Sequence, residues 1–109
     1  MSGDTLETIA LTFSDSGRKV TVHVGDRITL DLPENPTTGF RWSVPDLPGL
    51  DIVENMHVAG GNGIGGSGTR HISMRAVGTG LLVLHLERRQ AWEPDTPPES
   101  TFLLELEIH

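Results

Sequence analysis

Cysteine is absent from this chain of 109 residues. That absence excludes a disulfide framework, a thiolate nucleophile and a metal site with cysteine ligands. Long apolar runs are also absent, and no segment approaches the length of a membrane span. The first residues, Met1 to Thr5, show neither the basic nor the apolar region of a signal peptide, so we expect none there. These features assign the protein to no compartment.

Positive charge is scarce in this sequence. Eight Lys and Arg residues oppose 15 Asp and Glu residues, which gives a formal net charge of −7 with neutral histidines. A protein that binds nucleic acid presents a basic face, and so does one that adheres to an anionic membrane surface. We therefore expect neither nucleic acid nor a membrane among its partners.

Sustained helical periodicity is missing as well. Most segments instead alternate apolar and polar residues, most clearly at Ile28 to Leu32 and Phe102 to Ile108, with Gly- and Pro-rich turns between them. This pattern predicts an all-β sandwich of about seven to eight strands. The almost continuously apolar stretch Leu81 to Glu87 predicts a central strand buried on both faces. The length fits a single domain over residues 1–109.

A stiff, uncharged segment, here called the first loop, follows one predicted strand at Asn35, Pro36, Thr37, Thr38, Gly39 and Phe40. Its proline restricts two residues, its threonines are β-branched, and its glycine allows a positive φ. Such a loop loses little entropy when it meets a partner, so we interpret it as a preformed contact element. A plain interstrand turn is the alternative.

Two further unusual segments lie between predicted strands. The second loop is glycine-rich, from Ala59 to Gly68, and the third loop runs from Arg88 to Glu99 and contains Trp92. Alternate connections of an antiparallel sandwich lie at the same end, which predicts that all three loops converge. A flexible linker is the alternative for the second loop. We expect Trp42 in the core, and Trp92 either exposed as an anchor or folded back as a lid.

The order and spacing of these motifs resemble the chagasin family of cysteine-peptidase inhibitors, over about Val20 to Ile108. The family's first motif, Asn-Pro-Thr-Thr-Gly with an aromatic residue and then Trp two residues on, is intact at Asn35 to Phe40 and Trp42. Its Gly-x-Gly-Gly motif is present at Gly63 to Gly66. Its Arg-Pro-Trp motif aligns with Gln90 to Trp92 and keeps only the tryptophan.

The resemblance implies an immunoglobulin-like antiparallel β-sandwich that reversibly inhibits papain-like cysteine peptidases. The first loop would lie over the catalytic Cys and His of the peptidase, with Thr37 closest, and the other two loops would grip either side of the cleft. We expect a monomer with no enzymatic activity, cofactor or metal. The peptidase-binding residues implied by the resemblance are Asn35, Pro36, Thr37, Thr38, Gly39, Phe40, Gly63, Ile64, Gly65, Gly66, Gln90, Ala91 and Trp92.

Other functions find less support in the sequence. A non-inhibitory immunoglobulin-like binding or adhesion module is the main alternative, favoured by the altered third motif. An enzyme is not supported, because no nucleophile elbow is present and the histidines lack the spacing of a zinc site. A G-x-G-x-x-G match at Gly61, Gly63 and Gly66 is followed by strand-like alternation rather than a helix, which rejects a dinucleotide site.

The altered third motif leads to a first prediction. Ala91 in place of proline loosens the loop, and Gln90 removes a cation that Arg88 or Arg89 would replace if the register shifts. Ala91→Pro should therefore slow dissociation from a papain-like peptidase, because proline reduces the entropy that the loop loses on binding. Surface plasmon resonance of both proteins measures this, and an unchanged dissociation rate would contradict the argument from loop stiffness.

Overall fold

The computed structural model describes residues 6–34, 39–59, 68–90 and 97–109. One turn of 3-10 helix, Phe13–Asp15, lies among eight β-strands. The strands are β1 (Thr8–Thr12), β2 (Lys19–Val22), β3 (Arg27–Pro33), β4 (Phe40–Ser43), β5 (Leu50–Ala59), β6 (Gly68–Ala76), β7 (Gly80–Gln90) and β8 (Ser100–Ile108). Within these ranges no helix has the length and hydropathy needed to span a bilayer.

The strands form two four-stranded sheets, in the orders β1-β3-β6-β5 and β2-β8-β7-β4. The expected sandwich of seven to eight strands is thereby confirmed, with eight strands among the described residues. The pairs β3–β6, β5–β6, β4–β7 and β7–β8 are antiparallel, as expected. The pairs β1–β3 and β2–β8 are parallel. The β1–β3 pair arises because the chain crosses from β1 in one sheet to β2 in the other before β3 returns beside β1.

The core lies between the two sheets and is built by the alternation seen in the sequence. On β8, every second residue from Phe102 to Ile108 is at most 2% exposed. Ile28, Leu30 and Leu32 on β3 are completely buried. Trp42 on β4 is 5% exposed and joins the same cluster, which confirms its expected place in the core.

Strand β7 corrects one expectation, because it is buried on only one face. Leu84 and Leu86 are at most 1% exposed, whereas Leu81 and Val83 on the other face are 60% and 51% exposed. A continuous apolar run is typical of a parallel sheet covered on both sides. Here the sheet is mostly antiparallel, and no element among the described residues covers its outer face, so the run does not indicate double burial.

The two faces of β7 should respond differently to truncation. Leu84→Ala should lower the free energy of unfolding by about 2–5 kcal/mol, because it leaves a cavity in the core. Leu81→Ala, the matched control, should change it by less than about 0.5 kcal/mol. Urea denaturation of the two variants measures both values. Equal losses would show that the outer face of β7 is covered after all.

Candidate functional site

The strands that flank the three predicted loops begin and end at one end of the sandwich. The paired residues nearest that end are Pro33 with Thr69, Ala59 with Gly68, Phe40 with Gln90, and Arg88 with Ser100. Contacts between the sheets join the two sets, because the side chains of Trp42 and Arg88 both donate to the carbonyl oxygen of Pro33. The predicted convergence therefore holds for the residues that flank the loops.

Only part of the predicted binding set belongs to the described residues. Gly39 adopts a φ of 78°, which is the left-handed conformation expected for this glycine. Phe40 opens β4 directly opposite Gln90, the last residue of β7. The remaining members lie outside the described residues, and their contacts stay predictions; they are Asn35, Pro36, Thr37, Thr38, Gly63, Ile64, Gly65, Gly66, Ala91 and Trp92.

A buried carboxylate lies at the root of the first loop. Glu34 follows β3 directly, and its side chain is only 1% exposed. Both of its oxygens accept from Nε of Arg70 at 3.1 Å, and Oε1 also accepts from Nη2 at 2.7 Å. The backbone N–H of Trp42 donates to Oε2 at 3.1 Å, and Nδ1 of His57 lies 3.0 Å from Oε1. Every side of this carboxylate is therefore engaged.

The electrostatics of Glu34 reflect a balance of burial and hydrogen bonding. Burial by itself would raise the pKa of this carboxyl group. The hydrogen bonds and charge of Arg70, together with the hydrogen bonds from Trp42 and His57, outweigh burial, and the pKa is lowered below its ordinary value. Glu34 is therefore ionised at neutral pH and forms a buried ion pair with Arg70.

Arg88 was expected in the third loop but lies on β7, which continues to Gln90, and it connects the base of that loop to the root of the first. Its Nη1 donates to the carbonyl oxygen of Pro33 at 2.8 Å, and its guanidinium carbon lies 5.5 Å from the ring centre of Trp42. Its Nη2 lies 2.6 Å from a carboxylate oxygen of Glu99 and donates to the hydroxyl of Ser100 at 3.2 Å. The Arg88 side chain is 19% exposed. We call Pro33, Glu34, Trp42, His57, Arg70 and Arg88 the Glu34 network.

These contacts bear on the altered third motif. Arg88 is one of the two arginines expected to replace the missing cation of that motif, and both of its Nη nitrogens contact groups within the protein. The replacement itself stays a prediction. Nε of Arg89, the other candidate, lies 3.1 Å from a carboxylate oxygen of Glu87.

Among the described residues, no group of three or more His, Cys, Asp or Glu could hold a metal ion.

Sequence reasoning missed the Glu34 network, although a signal for it was present. Glu34 continues the inward-facing positions of β3, two residues after Leu32. Arg70 and Arg88 likewise lie two residues from the buried Ile72 and Leu86. A charged residue in the apolar register of a strand, on three strands at the same end, indicates a buried polar cluster.

Comparison with known proteins identifies the family. The sequence pattern of the Chagasin family peptidase inhibitor I42 matches residues 21–106 of this chain. Amoebiasin-1 of Entamoeba histolytica is 30% identical over 104 residues, which span 92% of this chain and 99% of that protein. Chagasin of Trypanosoma cruzi is 33% identical over 78 residues, which span 63% of this chain and 71% of that protein.

A solved structure shows the same fold. The crystal structure of the cysteine protease inhibitor EhICP2 from Entamoeba histolytica matches with a TM-score of 0.89. The match covers 98% of this chain and 100% of that chain, at 20% sequence identity. It confirms the immunoglobulin-like fold expected for this sequence.

The ion pair of Glu34 predicts a dependence of stability on pH. A carboxyl group with a lowered folded-state pKa stabilises fully above its unfolded-state value, roughly 4.3 for Glu, and this contribution is lost as pH falls through the folded-state pKa. Glu34→Gln should cost roughly 3 kcal/mol at pH 7, because Arg70 loses its charged partner. The difference from the parent protein should narrow as the pH is lowered below about 4.

Urea denaturation at pH 7 and pH 3 measures both effects. Glu107→Gln is the matched control, since Glu107 forms an exposed pair with Lys19 at 3.6 Å that should contribute at most about 1 kcal/mol. A deficit of Glu34→Gln that is the same at both pH values would show that the charge of Glu34 does not stabilise the fold.

Proposed function

This chain belongs to the chagasin family of peptidase inhibitors, and we propose on that basis that it reversibly inhibits papain-like cysteine peptidases. The family is one of inhibitors and not of enzymes. One structural observation carries the proposal: the three segments with the family motifs are flanked by strand ends that meet at one end of the sandwich. A single surface of this protein can therefore present all three motifs to one partner.

In this proposal the first loop acts as a wedge over the catalytic Cys and His of the peptidase. The segment Asn35 to Phe40 carries no charge, so it enters an enclosed cleft without the cost of desolvating an ion. Its proline and β-branched threonines limit its conformations, which reduces the entropy lost on binding. A rigid segment also keeps its carbonyl groups out of the geometry that the thiolate needs for attack.

The other two loops supply contacts on either side of the cleft. The glycines of Gly63 to Gly66 allow a close approach of the backbone, whose N–H and C=O groups can pair with the enzyme. Trp92 offers a large apolar anchor of the kind that dominates the energetics of interfaces. An interface of roughly 1,600 Å², when preorganised, is sufficient for tight reversible inhibition.

Titration of papain with the protein tests the function directly. Residual activity should fall as the inhibitor concentration rises, with inhibition complete at micromolar protein and reversed by dilution. No inhibition at that concentration would contradict the proposal. A binding or adhesion module that keeps the sandwich but has another partner would then account better for the altered motif at Gln90 to Trp92.

Variants in the loops test the site. Thr37→Ala and Trp92→Ala should weaken inhibition, Trp92→Ala by about 2 kcal/mol or roughly 30-fold, while both proteins remain as stable as the parent. Val77→Ala is the matched control, because Val77 is exposed and follows β6 at the opposite end. Inhibition constants and urea denaturation measure the two properties. A stability loss of about 3–5 kcal/mol in Trp92→Ala would place this residue in the core and contradict its assignment as an anchor.

A further inference from the structure

The root of the first loop is held from both sheets at once. Pro33 and Glu34 are the last two described residues before that loop. The Glu34 carboxylate binds Arg70 of one sheet and the backbone N–H of Trp42 in the other. The Pro33 carbonyl accepts from the indole of Trp42 at 2.8 Å and from Arg88 at 2.8 Å. Two consecutive residues thus accept hydrogen bonds from five donors on three other strands, and His57 of a fourth strand lies beside them.

Glu34 also joins the first loop to the second. His57 and Arg70 lie two residues from Ala59 and Gly68, where β5 ends and β6 begins. Both side chains contact the Glu34 carboxylate, and the backbone N–H of Glu34 donates to the carbonyl oxygen of Gly68 at 3.1 Å. A displacement of the first loop at its root would therefore break contacts with both strands that flank the second loop.

Arg88 joins the first loop to the third. It lies near the end of β7, and its backbone carbonyl accepts from the N–H of Glu99 across the base of the third loop at 2.8 Å. Its guanidinium contacts the side chains of Glu99 and Ser100 on the far side of that loop, and the carbonyl of Pro33 on the first. One side chain therefore contacts the roots of two loops.

The choice of charged residues at these inward positions is informative. Apolar side chains of similar volume in place of a buried ion pair often leave stability unchanged or raise it, because they avoid the cost of desolvation. A guanidinium differs from an apolar group in that its planar set of donors fixes direction as well as distance. Directional contacts at the roots of all three loops favour a role in setting the arrangement of those loops.

We propose that Glu34 and Arg88 are positioning residues for peptidase inhibition, which hold the roots of the three loops in one fixed arrangement. This inference rests on the proposed function. Neither residue needs to touch the peptidase. Their loss lets the loops move relative to one another, so that more entropy is lost on binding and the complex dissociates faster.

Dissociation rates separate positioning from general stability. The variants are Glu34→Gln, Arg88→Met and Arg88→Lys, the last keeping the charge but losing the planar donors. The matched control is Leu106→Ala, which removes a fully buried side chain from β8. All four proteins and the parent are assayed with papain by surface plasmon resonance, at a temperature where urea denaturation shows each to be folded.

We expect each of the three network variants to dissociate at least about tenfold faster than the parent, with little change in the association rate. Leu106→Ala should lose stability yet dissociate at the parent rate. Parent-like dissociation of the network variants, or equal acceleration in Leu106→Ala, would overturn the inference while leaving the proposed function intact. Failure of the parent itself to bind papain would instead overturn the proposed function, and this inference with it.

A second measurement tests whether Arg88 links the first loop to the third. In the parent, the effects of Thr37→Ala and Trp92→Ala on dissociation should be non-additive, because the first and third loops are held as a unit. In the Arg88→Met background the same two effects should become additive. Coupling that is unchanged by Arg88→Met would show that Arg88 does not link the loops, and would overturn its assignment as a positioning residue.

Discussion

The buried ion pair between Glu34 and Arg70 is the interaction on which the loop-bearing end of this protein depends. Ions withdrawn from water are tolerated only when their hydrogen-bonding capacity is met, and here the carboxylate accepts from Arg70 and from the backbone of Trp42, with His57 beside it. These partners come from three strands in two sheets. The pair holds two strands of one sheet together, and the hydrogen bond from Trp42 ties the same carboxylate to the other sheet at the point where the first loop begins.

This arrangement divides the molecule into two parts with different requirements. Between the sheets, stability comes from alternating apolar side chains, whose identities can vary as long as their volume and register are kept. At the loop end, function requires defined contacts. A protein with 20% sequence identity shares the fold with a TM-score of 0.89, which is consistent with a core specified by pattern rather than by particular residues.

Alternation predicted β3 and β8 well because each has one face on the core and one in solvent. It failed for β7, where apolar residues such as Leu81 lie on the solvated face. Strand β5 alternates poorly in the sequence because it is an edge strand that is exposed at nearly every position after Leu50, and its register with β6 also shifts between Ile52 and Glu54. The parallel pairing of β1 with β3 and of β2 with β8 could not be predicted. It depends on which sheet each edge strand joins and not on the residues of that strand.

The sequence by itself determined the all-β class, the core face of most strands, and the motifs that place the chain in its family, because these depend on local periodicity and on residues close together in the chain. Only the tertiary structure decided that Glu34, Arg70 and Arg88 meet at the roots of the loops. Arg70 lies 36 positions from Glu34, and Arg88 lies 55 positions from Pro33, so spacing along the chain does not pair these groups. Glu34 meets Arg70 through the pairing of β3 with β6, whereas Arg88 meets Pro33 through the packing of one sheet on the other.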